Sequence, residues 1–304
     1  MNKILITVCL FIIVLTAGST VIKAAEEETK NKSQKTFLIG LIPERNIFNQ
    51  IERYEPLASY LSEKTGLDVQ LRILTRYGNI IDNFVALGLD GAFFGSFTYA
   101  LAHAKLGVEP IARPESINGI SMYHGKIFVR NDSMIKSKED MRGKTFAFVD
   151  KATTAGHLLP LHFFVENGIV NHKTFFKETY FAGTHEDAIY DVLNKRADIG
   201  AAKNTVYFEL AKKNSRITKE LTIIKRSPEV PSNGLAVRKD LDASIKNTLK
   251  NLLLNIHNDP KGQNILTKLN ARKFIETGDH DYKGVYDYIE AIDLDLNNYD
   301  YMNE

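Results

Sequence analysis

The sequence predicts an α/β protein of two lobes, each a mostly parallel sheet flanked by helices. Three observations lead there. Short apolar runs alternate with helix-patterned stretches along nearly the whole chain, the pattern of a sheet covered on both faces. The 304 residues, 44% of them apolar, are enough for a substantial core and for two domains of ordinary size. The strands number about ten, more than one sheet comfortably holds. There is no solenoid-length repeat and no low-complexity linker.

The elements are taken in chain order. "TFLIGLI" is a strand ending at Pro43, and "IERYEPLASYLSEKTG" spaces Ile51, Leu57 and Leu61 as a helix that stops at Gly66. "DVQLRIL" is a strand, "NIIDNFVALGLD" a helix and "GAFFG" a buried strand. "SFTYALAHAKLG" is a helix with Ser96 as candidate N-cap and Gly107 as candidate C-cap. "KIFVRND" is a strand, and "SKEDMRG" opens with a capping-box pattern from Ser137 to Asp140. "KTFAFVD", "ETYFAG" and "DIGAAKN" are strands; "TAGHLLPLHFFVENG", "HEDAIYDVLNKRA" and "TVYFELAKK" are the helices after them. "LTIIKRS" and "GLAVRKD" are strands, and "SIKNTLKNLLLNIHND" is a strong helix. The chain is expected to cross between lobes near "GKIFVRND" and near "RSPEVPSNG", where Pro228, Pro231 and Gly234 cluster.

The N-terminus reads as a targeting segment. Residues 1–25 carry an apolar run from Ile4 to Ala17, short for a membrane span, with Ala24 or Ala25 ending a secretory signal; an uncleaved tether is the rival reading. Residues 26–36 form a charged, mobile leader. Without the signal, which holds Lys3, Lys23 and the single Cys9, the chain has 37 basic and 37 acidic residues and no thiol. That excludes disulfides and thiolate chemistry and gives no electrostatic argument for nucleic acid.

The stretch "DKATTAGHLLP" lies between a strand end and a helix start. Ligands of open α/β sheets gather at strand carboxyl ends, and the first N–H groups of a helix lack partners inside it and carry the positive end of its dipole. Thr153 and Thr154 add two hydroxyls there, and Ala155 and Gly156 let an oxyanion approach the backbone. Capping is the competing role for Thr153. His157, one position on, is a further candidate for ligand contact. Ser96 opens a second helix and Asn204 follows a strand end, so both are candidates to line a cleft. Glu44, Arg45 and Lys203 read as solvated charges. No His/Asp cluster has metal spacing, and there is no G-x-S-x-G elbow, which argues against a hydrolase and against any metal or cofactor.

From about Lys35 to about Ile292 the chain resembles the phosphate/phosphite/phosphonate-binding proteins of bacterial ABC importers. The likeness is carried by "IPERNIFNQIERYEPLASYLSEKTG", "RYGNIIDNF", "GAFFGSFTYALAHA", "KSKEDMRGKTFAFVD", "ATTAGHLLP", "AGTHEDAIYDVLNKRADIGAAKNTVY" and "NGLAVRKDL" in that order. It implies a two-lobed periplasmic binding protein, type II-like, with the cleft at a two-stranded hinge. The lobes are then 37–127 and 128–230, with 231–304 returning to the first lobe. It implies that Thr153, Thr154, Ala155 and Gly156 form the oxyanion turn, Ala155 standing where the family has a hydroxyl, and that Tyr77, Tyr123 and His185 donate to the ligand. Members taking amino-bearing phosphonates place carboxylates near the positions of Thr205 or Val206 and of Asn233; this chain has none there. The implied ligand is therefore phosphate, phosphite or a small alkyl phosphonate. The implied partner is an ABC permease in the inner membrane, served by a periplasmic monomer that is not an enzyme. A sensory subunit presenting the same anion to a membrane kinase shares fold and site, and the sequence leaves that alternative open.

Overall fold

A computed structural model describes residues 34–44 and 47–303; the signal segment 1–25, most of the leader and Arg45 lie outside the described residues. In chain order the elements are β1 (Thr36–Leu41), α1 (Ile47–Thr65), β2 (Asp68–Ile73), α2 (Asn79–Ala86), β3 (Gly91–Phe94), α3 (Ser96–Leu106), β4 (Glu109–Ser116), β5 (Met122–Tyr123), β6 (Gly125–Arg130) and β7 (Thr145–Phe148). A π-helical turn (Thr154–Leu158) then runs into α4 (Leu159–Glu166), succeeded by α5 (His172–Phe175), β8 (Glu178–Phe181), α6 (His185–Leu193), β9 (Ile199–Lys203), α7 (Asn204–Lys213), α8 (Arg216–Glu220) and β10 (Leu221–Arg226). The chain closes with β11 (Val230–Pro231), β12 (Gly234–Val237), α9 (Ala243–Asn255), α10 (Pro260–Leu269), β13 (Ala271–Glu276) and α11 (Lys283–Ala291).

Local chemistry explains the boundaries. α1 ends where Gly66 takes φ 72°, and α3 ends where Gly107 takes φ 67° and returns its N–H to His103. Both are left-handed positions that only glycine adopts without strain. The N-cap of α3 is Gly95, so Ser96 is its first helical residue and its hydroxyl is released for other work. Ser137 and Asp140 do form a reciprocal cap, Asp140 Oδ2 accepting from Ser137 N–H at 2.9 Å, but the helix they start is a single 3₁₀ turn, Glu139–Met141.

The strands sort into a six-stranded sheet, β13-β4-β12-β3-β1-β2, and a five-stranded sheet, β10-β6-β9-β7-β8. Both are mixed, which corrects the expectation of mostly parallel sheets. β1 and β3 are parallel in the first sheet, and β7 is parallel to β8 and β9 in the second. β12 runs antiparallel to β3 and β4, and β6 antiparallel to β9 and β10. The cause is connectivity: β6 and β12 are the strands on which the chain enters each lobe from the crossing, so they run against the strands wound by helical crossovers. Between the sheets lies a two-stranded ribbon, β5 with β11, pairing Tyr123 with Val230 and Met122 with Pro231. It is the narrow double crossing that a hinge requires.

Each sheet buries both faces. Leu41, Leu61, Leu235 and Leu249 pack on one face of the first sheet. Phe146, Phe148 and Phe164 fill one face of the second, and Phe128, Ile189 and Val206 the other. The remaining cluster joins Phe94 and Phe97 of the first lobe to Tyr123, Val149, Ala155 and Leu158, so apolar packing continues through the base of the cleft. After α11 the chain crosses the same junction. Lys105 of α3 donates to the Asn297 carbonyl at 2.7 Å and Tyr301 donates to Asp82 of α2 at 3.0 Å, while Asn303 donates to Asp150 at 2.9 Å and Lys151 to Asp300 at 2.9 Å.

Candidate functional site

Two helix mouths meet across the lobes. On the five-stranded side, β7 leads through Asp150 to the π turn. Leu158 N–H returns to Thr153 O at 3.0 Å, a five-residue step, so the N–H groups of Thr154 to His157 begin the turn with no partner inside it. On the six-stranded side, α3 begins at Ser96, and its first internal bond runs from Tyr99 N–H to Gly95 O at 2.7 Å. The mouths touch: Phe97 N–H donates to Thr154 Oγ1 at 2.9 Å, and the Thr98 hydroxyl donates to the Ala152 carbonyl at 2.9 Å. Both positive dipole ends thus face one spot.

Polar side chains ring that spot. Ser96 is fully buried; its hydroxyl donates to the Pro231 carbonyl at 2.6 Å and lies 3.3 Å from the Tyr123 hydroxyl. Burial pushes the Tyr123 phenol up to about 12, against the opposing pull of hydrogen bonds with Ser96 and Thr154, so it keeps its proton near neutrality. His185 opens α6 and is buried; its Nδ1 accepts the Lys203 N–H at 3.3 Å, which leaves the proton of a neutral ring on Nε2. The buried Tyr77 ring stands edge-on to His185, centroids 5.9 Å apart.

The side chains of Tyr77, Ser96, Tyr123, Thr154, His185 and Asn233 are gathered about the cleft, and those of the other candidates are not. The Thr153 hydroxyl turns back to the Asp150 carbonyl at 2.7 Å, the same carbonyl that accepts the Thr153 N–H at 3.0 Å in the turn after β7. Gly156 is set by packing: a Cβ there would press into Val149 and come within 2.8 Å of Thr153 Oγ1, so glycine serves the contact beneath the turn. His157 points behind the turn, its Nδ1 3.1 Å from the Tyr299 hydroxyl and its ring edge-on to Phe148. Burial, then the neighbouring His172 and Lys151, hold its imidazole down to about 3. Asn204 accepts the His124 N–H at 3.2 Å and so ties α7 to the crossing strand. Ala155 lies in the packed base of the cleft, beneath the ring of hydroxyls.

Sequence reasoning missed a charge pair. Lys203 and Glu44, expected in solvent, are 6% and 8% exposed, and Lys203 Nζ lies 2.7 Å from Glu44 Oε1 and 2.9 Å from Asn233 Oδ1. Val206 faces the apolar interior of the second lobe and Thr205 is exposed, so the carboxylate in this part of the cleft is that of Glu44. The available signal was position: Glu44 and Lys203 each stand at the carboxyl end of an apolar strand, where ligand sites of this fold class form.

Comparison with known proteins agrees with this architecture. A family model described as ABC transporter, phosphonate, periplasmic substrate-binding protein matches residues 39–282. The phosphonates-binding periplasmic protein of Escherichia coli (strain K12) is 26% identical over 267 residues, covering 86% of this chain and 77% of that one. The phosphate-import protein PhnD of Mycolicibacterium smegmatis is 28% identical over 180 residues, covering 57% of this chain and 56% of that one. Among solved structures, PhnD1 of Prochlorococcus marinus in complex with methylphosphonate superposes with a TM-score of 0.75 at 22% identity, covering 85% of this chain and 98% of that one. The two-lobed fold, the hinge ribbon and the match over most of the chain have one reading: the protein belongs to the periplasmic substrate-binding proteins of phosphonate ABC transporters, a family of binding proteins and not of enzymes.

Proposed function

We propose that the cleft binds phosphate, phosphite or a small alkyl phosphonate, that the lobes close on it about the β5–β11 ribbon, and that the closed monomer delivers it to an inner-membrane ABC permease. One observation carries the reading: the mouths of α3 and of the π turn converge at the Phe97–Thr154 contact, ringed by hydroxyls and an imidazole. A tetrahedral oxyanion entering there would take the place of that contact. It would receive the backbone N–H groups of Phe97, Ala155 and Gly156, the hydroxyls of Ser96, Tyr123, Thr154 and Tyr77, and His185. Lys203 adds no net charge, because Glu44 cancels it. Uncharged donors suit a carrier that must release its cargo, since no protein counter-charge is committed to the ligand. Relatives named for phosphonate and phosphate, and one solved with methylphosphonate, support the ligand class.

The test is a thermal-shift screen with phosphate, phosphite, methylphosphonate, 2-aminoethylphosphonate and sulfate. A ligand at a hundred times its Kd adds about 2.7 kcal/mol, which for a chain of this size raises Tm by roughly 5 °C or more. The expected result is such a rise with one of the first three. No rise with any of those three, or a rise confined to sulfate or 2-aminoethylphosphonate, overturns the reading.

A further inference from the structure

One charged group reaches across the cleft beside the ring of hydroxyls. Lys203 ends β9, yet its ammonium is embedded in the other lobe. Glu44, just past β1, and Asn233, just before β12, accept from Nζ at 2.7 and 2.9 Å, and the ring centroid of Tyr123 lies 4.3 Å from it. A carboxylate oxygen, an amide oxygen and an aromatic face form the set of groups that recognises a primary ammonium. An ion pair buried this far costs desolvation that an apolar pair would avoid, so stability by itself does not account for it.

Tyr123 links this cluster to the anion site. Its hydroxyl lies 3.3 Å from Ser96, at the helix mouth, while its ring face supports the Lys203 ammonium. The cation and the hydroxyl ring are therefore one tyrosine side chain apart. We propose that Glu44, Asn233 and Tyr123 form an ammonium cage adjoining the oxyanion site, and that Lys203 fills it from the opposite lobe and so bars ligands that carry an amine of their own. A phosphonate with a short aminoalkyl tail would bring its ammonium to the cage while its phosphonyl group met the helix mouths. Lys203 already occupies that volume and repels that charge, whereas a ligand with a methyl, a hydrogen or an oxygen in place of the tail leaves the lysine paired. The position of the ligand rests on the oxyanion reading, and the existence of the cage on the cluster alone.

The experiment compares the full chain with Lys203→Ala and with Lys203→Ala/Glu44→Gln. Calorimetry gives the affinity ratio of methylphosphonate to 2-aminoethylphosphonate; melting curves with n-propylammonium chloride, against equal tetramethylammonium chloride, probe the cage without any phosphonate. The wild type is expected to favour methylphosphonate by about 100-fold or more, the scale of one unmatched buried charge, and Lys203→Ala to bring the ratio within about tenfold. Propylammonium is expected to raise the Tm of Lys203→Ala only, with both gains lost in the double variant. Lys203→Ser supplies the same comparison if the alanine variant does not fold. A wild-type ratio in a folded Lys203 variant overturns the proposal. So does loss of both phosphonates with no propylammonium response, which would assign Lys203 to the anion. If no variant and no wild-type sample takes any oxyanion, the reading of the anion site fails by itself, and the propylammonium response still decides the cage.

Discussion

Two adjacent threonines with the same side chain have opposite assignments, because one faces its own backbone and the next faces the other lobe. Thr153 donates to Asp150 O, whereas Thr154 accepts the Phe97 N–H. Thr154→Val is expected to weaken oxyanion binding about tenfold or more, the value of one hydrogen bond to a charged group. Thr153→Val is expected to cost about 1 kcal/mol of stability while leaving affinity within about threefold. Calorimetry and melting on the two variants separate these outcomes, and equal losses of affinity would return Thr153 to the site. The sequence marked the threonine pair as a candidate anion turn. Which hydroxyl turns towards the other lobe was not legible, since that depends on where the Asp150 carbonyl below the turn points.

At the scale of the element, most strands and helices up to α9 were readable from apolar spacing and glycine stops, and Gly66 and Gly107 fall where expected. But β4 and β13, two of the six strands of the first sheet, were missed, and the helices after α9 were not resolved from irregular chain. The π turn was not readable. Its wider step comes from the packing of Gly156 against Val149, a contact made only once strand and helix are assembled, and Val149 N–H also donates to Gly156 O at 3.1 Å. Gly156→Ala places a methyl group inside the valine and should cost about 1–3 kcal/mol, the usual cost of overpacking. Circular-dichroism melting checks this: an unchanged Tm would mean the turn is not held by that contact. Strand direction escaped the sequence in the same way, because alternation of strand and helix does not say on which strand the chain re-enters a lobe.

For the whole molecule, the decisive features are contacts between distant segments. His157 is closed in by Phe148, Phe181 and the Tyr299 hydroxyl from the end of the chain. Its folded pKa, about 3, lies below the ordinary imidazole value of 6.5. Between those values the unfolded chain binds a proton that the native chain refuses, so stability is full above about pH 6.5 and falls as pH drops towards 3. His157→Phe should flatten the fall of Tm between those pH values, and a slope equal to wild type would show that other groups carry the acid response. Deleting residues 297–304 removes Tyr299, Asp300, Tyr301 and Asn303, which tie α2 and α3 to the start of the π turn. The truncated protein should melt several degrees lower and lose part of the protection of His157 from solvent, seen as a higher imidazole pKa by NMR. By itself the sequence determined the α/β class and the two lobes, which come from local periodicity and strand number, and it carried the motifs of the family and marked the hydroxyl turn as a candidate site. Only the tertiary structure decided that Thr154 and not Thr153 faces the other lobe, that His157 is sealed behind it, and that Lys203 meets Glu44 across 159 positions of sequence. Burial and partnership of a side chain are set by whatever the rest of the fold brings beside it, and no local pattern encodes that.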